Sequence, residues 1–94
     1  MRRGVSSPCF VVRFMRVEIH VSALKHRIAP DDLKHAARHA LVVEDVDDDL
    51  RLYLGPSRSG ALLEVVVVRR ADASELAIHA MLMRSKYQRL LPGE

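Results

Sequence analysis

The fold is decided by residues 50–69, which read LRLYLGPSRSGALLEVVVVR. Leu50, Leu52 and Leu54 alternate with other residue types, and this period of two is typical of a half-buried strand. Residues 55–60 contain two Gly, one Pro and two Ser, which are residue types that form turns. Residues 61–69 are almost continuously apolar, as in a central strand. The stretch therefore predicts two antiparallel strands joined by a turn.

Two further strands are predicted, one after this pair in the sequence and one before it. Residues 75–81 alternate again, with Leu76, Ile78 and Ala80 on one face and Glu75, Ala77, His79 and Met81 on the other. Val17, Ile19 and Val21 alternate with polar residues in a shorter strand near the amino terminus. Short connections between neighbouring strands favour an antiparallel meander, so we expect a sheet of three to four antiparallel strands.

The helices are predicted mainly before the strand pair. Pro30 suits the first position of a helix, and the two acids that follow it complement the positive helix end. Apolar residues then recur at helical spacing and predict an amphipathic helix of about three turns: Leu33, Ala36, Ala37, Ala40 and Leu41. Ser22 offers a cap for a brief helix over residues 23–27, and residues 84–91 predict a final helix.

A single helical layer covers only one face of such a sheet. We expect the leucines of residues 50–54 and the apolar side of residues 75–81 to face the helices. Arg51, Tyr53 and His79 would then share the opposite face, which is left for solvent or a partner. The predicted fold class is α+β, a small three- to four-stranded antiparallel sheet with helices packed on one face.

The size and composition of the chain set further limits. Its 94 residues suffice for one domain, and an apolar fraction of 49% with a charged fraction of 29% is typical of a chain that folds. Residues 1–14 are basic and loop-like, so we expect a disordered leader before a single domain over residues 15–94. The net charge of +3 is compatible with an anionic partner.

The expected compartment follows from cysteine usage and from the hydropathy of the chain. The single Cys9 cannot form an intramolecular disulfide, which favours a reducing compartment, and we expect a cytoplasmic protein. Arg13 and Arg16 interrupt the apolar stretch near the amino terminus before a secretory signal would be complete. No run approaches the roughly 20 apolar residues of a membrane span, so we expect no membrane partner.

Common enzyme motifs and metal sites find little support in the sequence. It contains no phosphate-binding glycine loop, paired-cysteine zinc spacing or serine nucleophile elbow. Asp31, His35 and His39 lie on one helical stripe that could hold a metal, but the flanking basic residues oppose a cation. Residues 44–49 contain five acids that are consecutive rather than spaced as in a calcium loop, which indicates an exposed connector. We therefore expect neither a metal nor a cofactor.

Residues with catalytic potential gather in the carboxyl-terminal half. Metal-free cleavage of RNA needs a base for the ribose 2′-OH, cations for the developing phosphorane charge and an acid for the leaving 5′ oxygen. The candidates of suitable type are Arg51, Tyr53, Arg58, His79, Arg84, Lys86 and Tyr87. The same residue types also occur on polar sheet faces that only bind, so catalysis and binding both remain open.

Three segments resemble one family of bacterial toxins. Residues 24–32, LKHRIAPDD, are similar to the KHGIS segment that begins the main helix of BrnT toxins, which belong to the RelE-like ribonuclease toxins of toxin–antitoxin pairs. Residues 51–68 resemble that family's strand, turn and strand, and residues 78–87, IHAMLMRSKY, resemble its carboxyl-terminal segment. Two positions depart from the family pattern: Arg27 replaces a glycine, and Met81 stands where the family usually has an arginine.

The resemblance, which covers roughly residues 17–91, implies a small α+β toxin of the RelE/BrnT type. It implies an endoribonuclease that works by 2′-OH transesterification without a metal and is neutralised by a cognate antitoxin, a small DNA-binding protein. On this interpretation His79 is the acid or base and Tyr87 its complement. Phosphate charge would be stabilised by Arg51, Arg84 and Lys86, and RNA would be held by Arg58 and Tyr53.

Two alternatives to the toxin interpretation stay open at this point. One is a non-catalytic protein- or nucleic-acid-binding module of the same fold. The other is a homodimer that buries the open sheet face through residues 75–81.

Overall fold

The computed structural model describes residues 17–92, so the predicted leader at residues 1–14 and Cys9 lie outside the described residues. In chain order the elements are strand β1 (Val17–Ile19), a first 3-10 helix (Val21–Leu24), helix α1 (Pro30–Arg38), strands β2 (Val42–Asp45), β3 (Leu50–Pro56), β4 (Leu62–Arg69) and β5 (Glu75–Leu82), and a second 3-10 helix (Ser85–Leu90). One sheet with helical segments confirms the α+β class. Within this range, every helix is too short or too polar to span a bilayer.

The sheet has five strands in the order β1-β5-β4-β3-β2. Strands β2 to β5 form an antiparallel meander, whereas β1 pairs in parallel with β5. The expectation of three to four antiparallel strands is therefore wrong in the number of strands and in the direction of β1. The connection between β1 and β5 is long, since it contains the helical segments and three further strands, and only a long connection permits two strands to pair in parallel.

Strand β2 contains the start of the acidic run at residues 44–49. Val43 pairs with Tyr53 and Asp45 pairs with Arg51, so the first two acids belong to the sheet rather than to a connector. The Asp45 carboxylate accepts a hydrogen bond from Nε of Arg51 over 2.8 Å. Pairing with a basic residue on the neighbouring strand explains how an acidic segment joins a sheet.

Helix α1 packs on strands β3 and β4 and ends at Arg38, earlier than the predicted end at Leu41. Its buried residues are Leu33, Ala36 and Ala37. The helix passes directly over Gly55 of β3, because a Cβ at this position would collide with the carbonyl oxygen of Ala36. The glycine thus allows the helix to approach the sheet closely.

The two faces of the sheet are exchanged relative to the prediction. Tyr53 lies in the core beneath α1, so Leu52 and Leu54 lie on the opposite face, where they are nevertheless buried. Because both faces of β3 are buried, the alternation of its residues does not reveal which face meets the helix. The expectation that Arg51, Tyr53 and His79 share one open face is therefore wrong.

A β-bulge in β5 determines where His79 lies. The partners of Ala77 and His79 are adjacent residues of β4, which leaves Ile78 as the extra residue. The bulge reverses the alternation of side chains beyond this point. Ala77 and Ala80 accordingly both enter the core, and His79 lies on the face opposite α1.

The two short helices are 3-10 helices. The first is capped by His20 rather than by Ser22, and the Ser22 hydroxyl instead donates to the carbonyl oxygen of Ile78 over 2.8 Å. The turn after it holds Arg27 at a φ of 63°, in the left-handed region that favours glycine. This is the position at which the resemblance places a glycine. The predicted helix at residues 84–91 is the second 3-10 helix, Ser85–Leu90.

Candidate functional site

The candidate site is built around Glu64, the one acid in the central strand β4. Its side chain is fully buried on the sheet face opposite α1. The carboxylate accepts hydrogen bonds from Nε2 of His79 over 2.9 Å, from Nη2 of Arg84 over 2.7 Å and from the backbone N–H of Arg84 over 3.0 Å. A buried charge persists only when it is paired and hydrogen-bonded, and His79 and Arg84 meet both conditions.

The charge state of Glu64 follows from these contacts. Burial raises the pKa of Glu64, but the hydrogen bonds from the side chain and backbone of Arg84, and then from His79, outweigh burial and lower the pKa to about 2. The same pairing raises the pKa of Arg84 above its already high value. Glu64 is therefore a carboxylate and Arg84 a guanidinium at neutral pH.

The ionised carboxylate fixes the orientation of the His79 ring. Because a carboxylate only accepts hydrogen bonds, Nε2 of His79 carries the proton that faces Glu64. In the neutral ring Nδ1 is then the free acceptor. The His79 side chain is 28% exposed, so a solvent-borne ligand can reach the ring. This arrangement is that of an imidazole base oriented by a buried carboxylate.

A second imidazole lies beside His79. The ring centroids of His26 and His79 are 5.6 Å apart, and the ring planes meet edge to face at 77°. His26 is exposed and follows the first 3-10 helix, which Ser22 fastens to β5 through its hydrogen bond to Ile78. The site therefore offers two imidazoles that come from opposite ends of the described chain.

Three predicted site residues follow β5 and extend this cluster. The guanidinium carbon of Arg84 is 5.9 Å from the centroid of the Tyr87 ring, and Nζ of Lys86 is 5.0 Å from it. Both distances lie within the range of cation–π contacts. The whole group, called the Glu64 site below, comprises His26, Glu64, His79, Arg84, Lys86 and Tyr87.

Arg51 and Tyr53 lie on the other side of the sheet. The Tyr53 hydroxyl lies 2.7 and 2.9 Å from the two carboxylate oxygens of Glu75, to which it donates. Burial, followed by this hydrogen bond, raises the pKa of Tyr53 to about 12. Arg51 is paired with Asp45. The structure therefore does not bring these two residues to His79.

Arg58 is also separate from the Glu64 site. Its Nε and its backbone N–H donate to the Asp32 carboxylate over 2.8 and 3.1 Å, and this pairing lowers the pKa of Asp32. Asp31 is a second, weaker partner at 3.7 Å. Arg58 thus joins the turn between β3 and β4 to the beginning of α1.

The stripe of Asp31, His35 and His39 makes contacts of other kinds. A ring nitrogen of His35 lies 2.8 Å from the carbonyl oxygen of Pro56, and the rings of His35 and His39 are 4.3 Å apart. Among residues 17–92, no group of three or more His, Cys, Asp or Glu side chains is placed to hold a metal ion.

Sequence reasoning missed Glu64 and His26. A signal for Glu64 was present, because a lone carboxylate in the middle of an apolar strand requires a buried partner of opposite charge. For His26 the signal was the resemblance of residues 24–32 to the KHGIS segment, which does not reveal that this ring lies beside His79. That distance depends on how the first 3-10 helix lies against β5.

The chain matches no protein-family model, no curated protein and no solved structure.

Proposed function

We propose that the protein is a type II toxin of the RelE/BrnT type, an endoribonuclease that cleaves RNA without a metal ion and acts in the cytoplasm. The observation that carries the proposal is the contact between His79 and the buried, ionised Glu64, with the Arg84 guanidinium on the same carboxylate. A carboxylate that orients an imidazole beside a cation is suited to proton transfer at a phosphate ester.

His79 supplies the base in this reaction. Its Nδ1 takes the proton of a ribose 2′-OH while that oxygen attacks the adjacent phosphorus. Glu64 is ionised and bonded to Nε2, so it holds the ring with Nδ1 free for the substrate and remains its hydrogen-bond acceptor after the proton is taken up. A positioned general base typically contributes about 10²- to 10⁴-fold to the rate.

Arg84 and Lys86 supply positive charge for the phosphorane. Glu64 occupies Nε and Nη2 of Arg84, but a guanidinium has five N–H donors, and this side chain is 46% exposed. Lys86 is exposed, and its Nζ lies 5.0 Å from the centroid of the Tyr87 ring that Arg84 also contacts. Arg51, Arg58 and Tyr53 have no part in this step because their contacts lie elsewhere.

The partner that we propose is a cognate antitoxin, a small DNA-binding protein that covers the Glu64 site. Acidic side chains of that partner would compete with RNA for Arg84 and Lys86. The homodimer alternative depends on β5, which pairs with β4 on one side and with β1 on the other. Light scattering distinguishes it, because a dimer would show twice the mass of one chain.

Cleavage of RNA by the purified protein in EDTA tests the proposal. The wild type should produce fragments with 2′,3′-cyclic phosphate ends. His79→Gln retains an N–H donor for Glu64 but has no base, so we expect cleavage to fall by about 100-fold or more. The matched control is His39→Gln, which changes an exposed histidine at the end of α1 and should cleave like the wild type.

Three outcomes would contradict the proposal. Equal cleavage by His79→Gln would remove this residue from the mechanism. Binding of RNA without cleavage by the wild type would favour the non-catalytic module. Loss of cleavage in EDTA that zinc restores would indicate a metal-dependent reaction. In bacteria, induced expression should arrest growth, and His79→Gln should relieve the arrest.

A further inference from the structure

We propose that His26 is the general acid of the Glu64 site and protonates the leaving 5′ oxygen while His79 acts as the base. This inference rests on the proposed ribonuclease function. It is carried by the position of the His26 ring, 5.6 Å from the His79 ring and edge to face with it.

The two imidazoles differ in their surroundings, and this difference assigns their roles. Nε2 of His79 donates to Glu64, which leaves Nδ1 of that ring as the acceptor for a substrate proton. His26 is exposed, and within residues 17–92 no carboxylate is paired with its ring, so its ring nitrogens are not committed to an acceptor there. A donor for the leaving oxygen needs an uncommitted N–H, which His26 can present and which Nε2 of His79, bonded to Glu64, cannot. His26 therefore suits the acid and His79 the base.

Tyr87 is the competing candidate for the acid. Its ring lies against Arg84 and Lys86, the two cations that bind the phosphate in the proposed reaction. Tyr87 thus joins the site through Arg84, which in turn binds Glu64. His26 instead contacts His79 directly, and imidazole is the side chain that exchanges protons most readily near neutral pH. We therefore assign Tyr87 to phosphate binding.

Contacts before His26 in the sequence and a turn after it hold this residue beside β5. Before it, the backbone N–H of His20 donates to the carbonyl oxygen of Ala77 over 2.9 Å, and Ser22 donates to Ile78. After it, Arg27 adopts a φ of 63°, which turns the chain away towards α1. The backbone that carries His26 is thus held against β5 by these contacts and by the turn.

The proposed step balances without any further reactant. The bond between O2′ and phosphorus forms, and the bond between phosphorus and O5′ breaks. The 2′-OH proton passes to Nδ1 of His79, and the proton of the His26 imidazolium passes to O5′. The products are a 2′,3′-cyclic phosphate and a free 5′-OH, and exchange of one proton with water at each ring restores the starting state.

Substrates with different leaving groups test this assignment. The leaving group of a dinucleotide such as UpA is the 5′ oxygen of a nucleoside, an alkoxide that needs a proton from the acid. The leaving group of the 4-nitrophenyl ester of uridine 3′-phosphate is a stable phenolate, which does not need one. We expect His26→Gln to cleave UpA about 100-fold more slowly than the wild type and to cleave the nitrophenyl ester at the wild-type rate. His79→Gln should lose both activities, and His39→Gln should lose neither.

Other outcomes would overturn the inference. Wild-type cleavage of UpA by His26→Gln would show that this ring donates no proton. An equal loss on both substrates, in a variant with a native circular dichroism spectrum, would also contradict its role as the acid. A wild-type protein that cleaves neither substrate would refute the proposed function and this inference with it.

Discussion

Replacement of Glu64 by glutamine removes the negative charge beneath the site while the shape of the side chain is kept. In the native protein one carboxylate accepts from His79 and from the side chain and backbone of Arg84. Glutamine offers one acceptor oxygen and places an NH2 group against donors. At least one of these donors therefore loses its acceptor.

The magnitude follows from the pKa of Glu64. A decrease from 4.5 to about 2 corresponds to about 3 kcal/mol of stabilisation at neutral pH. Because the side chains of Arg84 and His79 are 46% and 28% exposed, water can solvate them once Glu64 is replaced. We therefore expect Glu64→Gln to lower the free energy of unfolding by about 1–2 kcal/mol, or Tm by roughly 4–16 °C.

The pH dependence has a definite sign. The folded-state pKa of Glu64 lies below the unfolded-state value, so the charged side chain stabilises the fold above about pH 4.5 and loses this effect as the pH falls towards 2. The difference in stability between wild type and Glu64→Gln should shrink over that window. Urea unfolding followed by circular dichroism, from neutral pH down to about pH 3, measures the difference.

A matched substitution provides the control for this experiment. Glu44 is exposed on strand β2, and Glu44→Gln should change the free energy of unfolding by less than about 0.5 kcal/mol. If Glu64→Gln were as stable as the wild type at neutral pH, or if the difference persisted unchanged in acid, the reasoning about the buried carboxylate would be refuted.

Three further substitutions test how the fold positions the site. Gly55→Ala should lower the free energy of unfolding by about 3 kcal/mol because its Cβ collides with the backbone of Ala36, and a normal urea midpoint would contradict the close approach. Arg27→Gly should raise the free energy of unfolding slightly, by less than about 1 kcal/mol, because φ is 63°; a lower free energy of unfolding would contradict this reason. Tyr53→Phe should cost about 1–2 kcal/mol in urea unfolding because Glu75 loses a donor, and no loss would show that this hydrogen bond contributes nothing.

The strands β3 to β5 and the start of α1 were predictable because strong local signals mark them. The turn residues at 55–60 separate two apolar segments, and Pro30 begins the helix as expected. Strand β2 was missed because acidic residues disfavour strands in isolation. Its pairing with Arg51 is a property of the assembled sheet and cannot be read from residues 42–45 alone.

The candidate site was predictable only in part. His79, Arg84, Lys86 and Tyr87 were identified by residue type, and the structure brings them together around Glu64. The assignment of sheet faces failed for two physical reasons. Both faces of β3 are buried, and the bulge at Ile78 reverses the alternation of β5, which no periodicity in the sequence reports.

The most direct test of the central claim is a nuclear magnetic resonance titration with a 2′-deoxy dinucleotide. This ligand carries the scissile phosphate but lacks the attacking 2′-OH, so it binds without reacting. We predict chemical-shift changes at the rings of His26 and His79 and at Nε of Arg84, with none at Arg51 or Arg58. Changes confined to Arg51 and Arg58, or no changes at millimolar ligand, would contradict the existence of one phosphate-binding site on the face opposite α1.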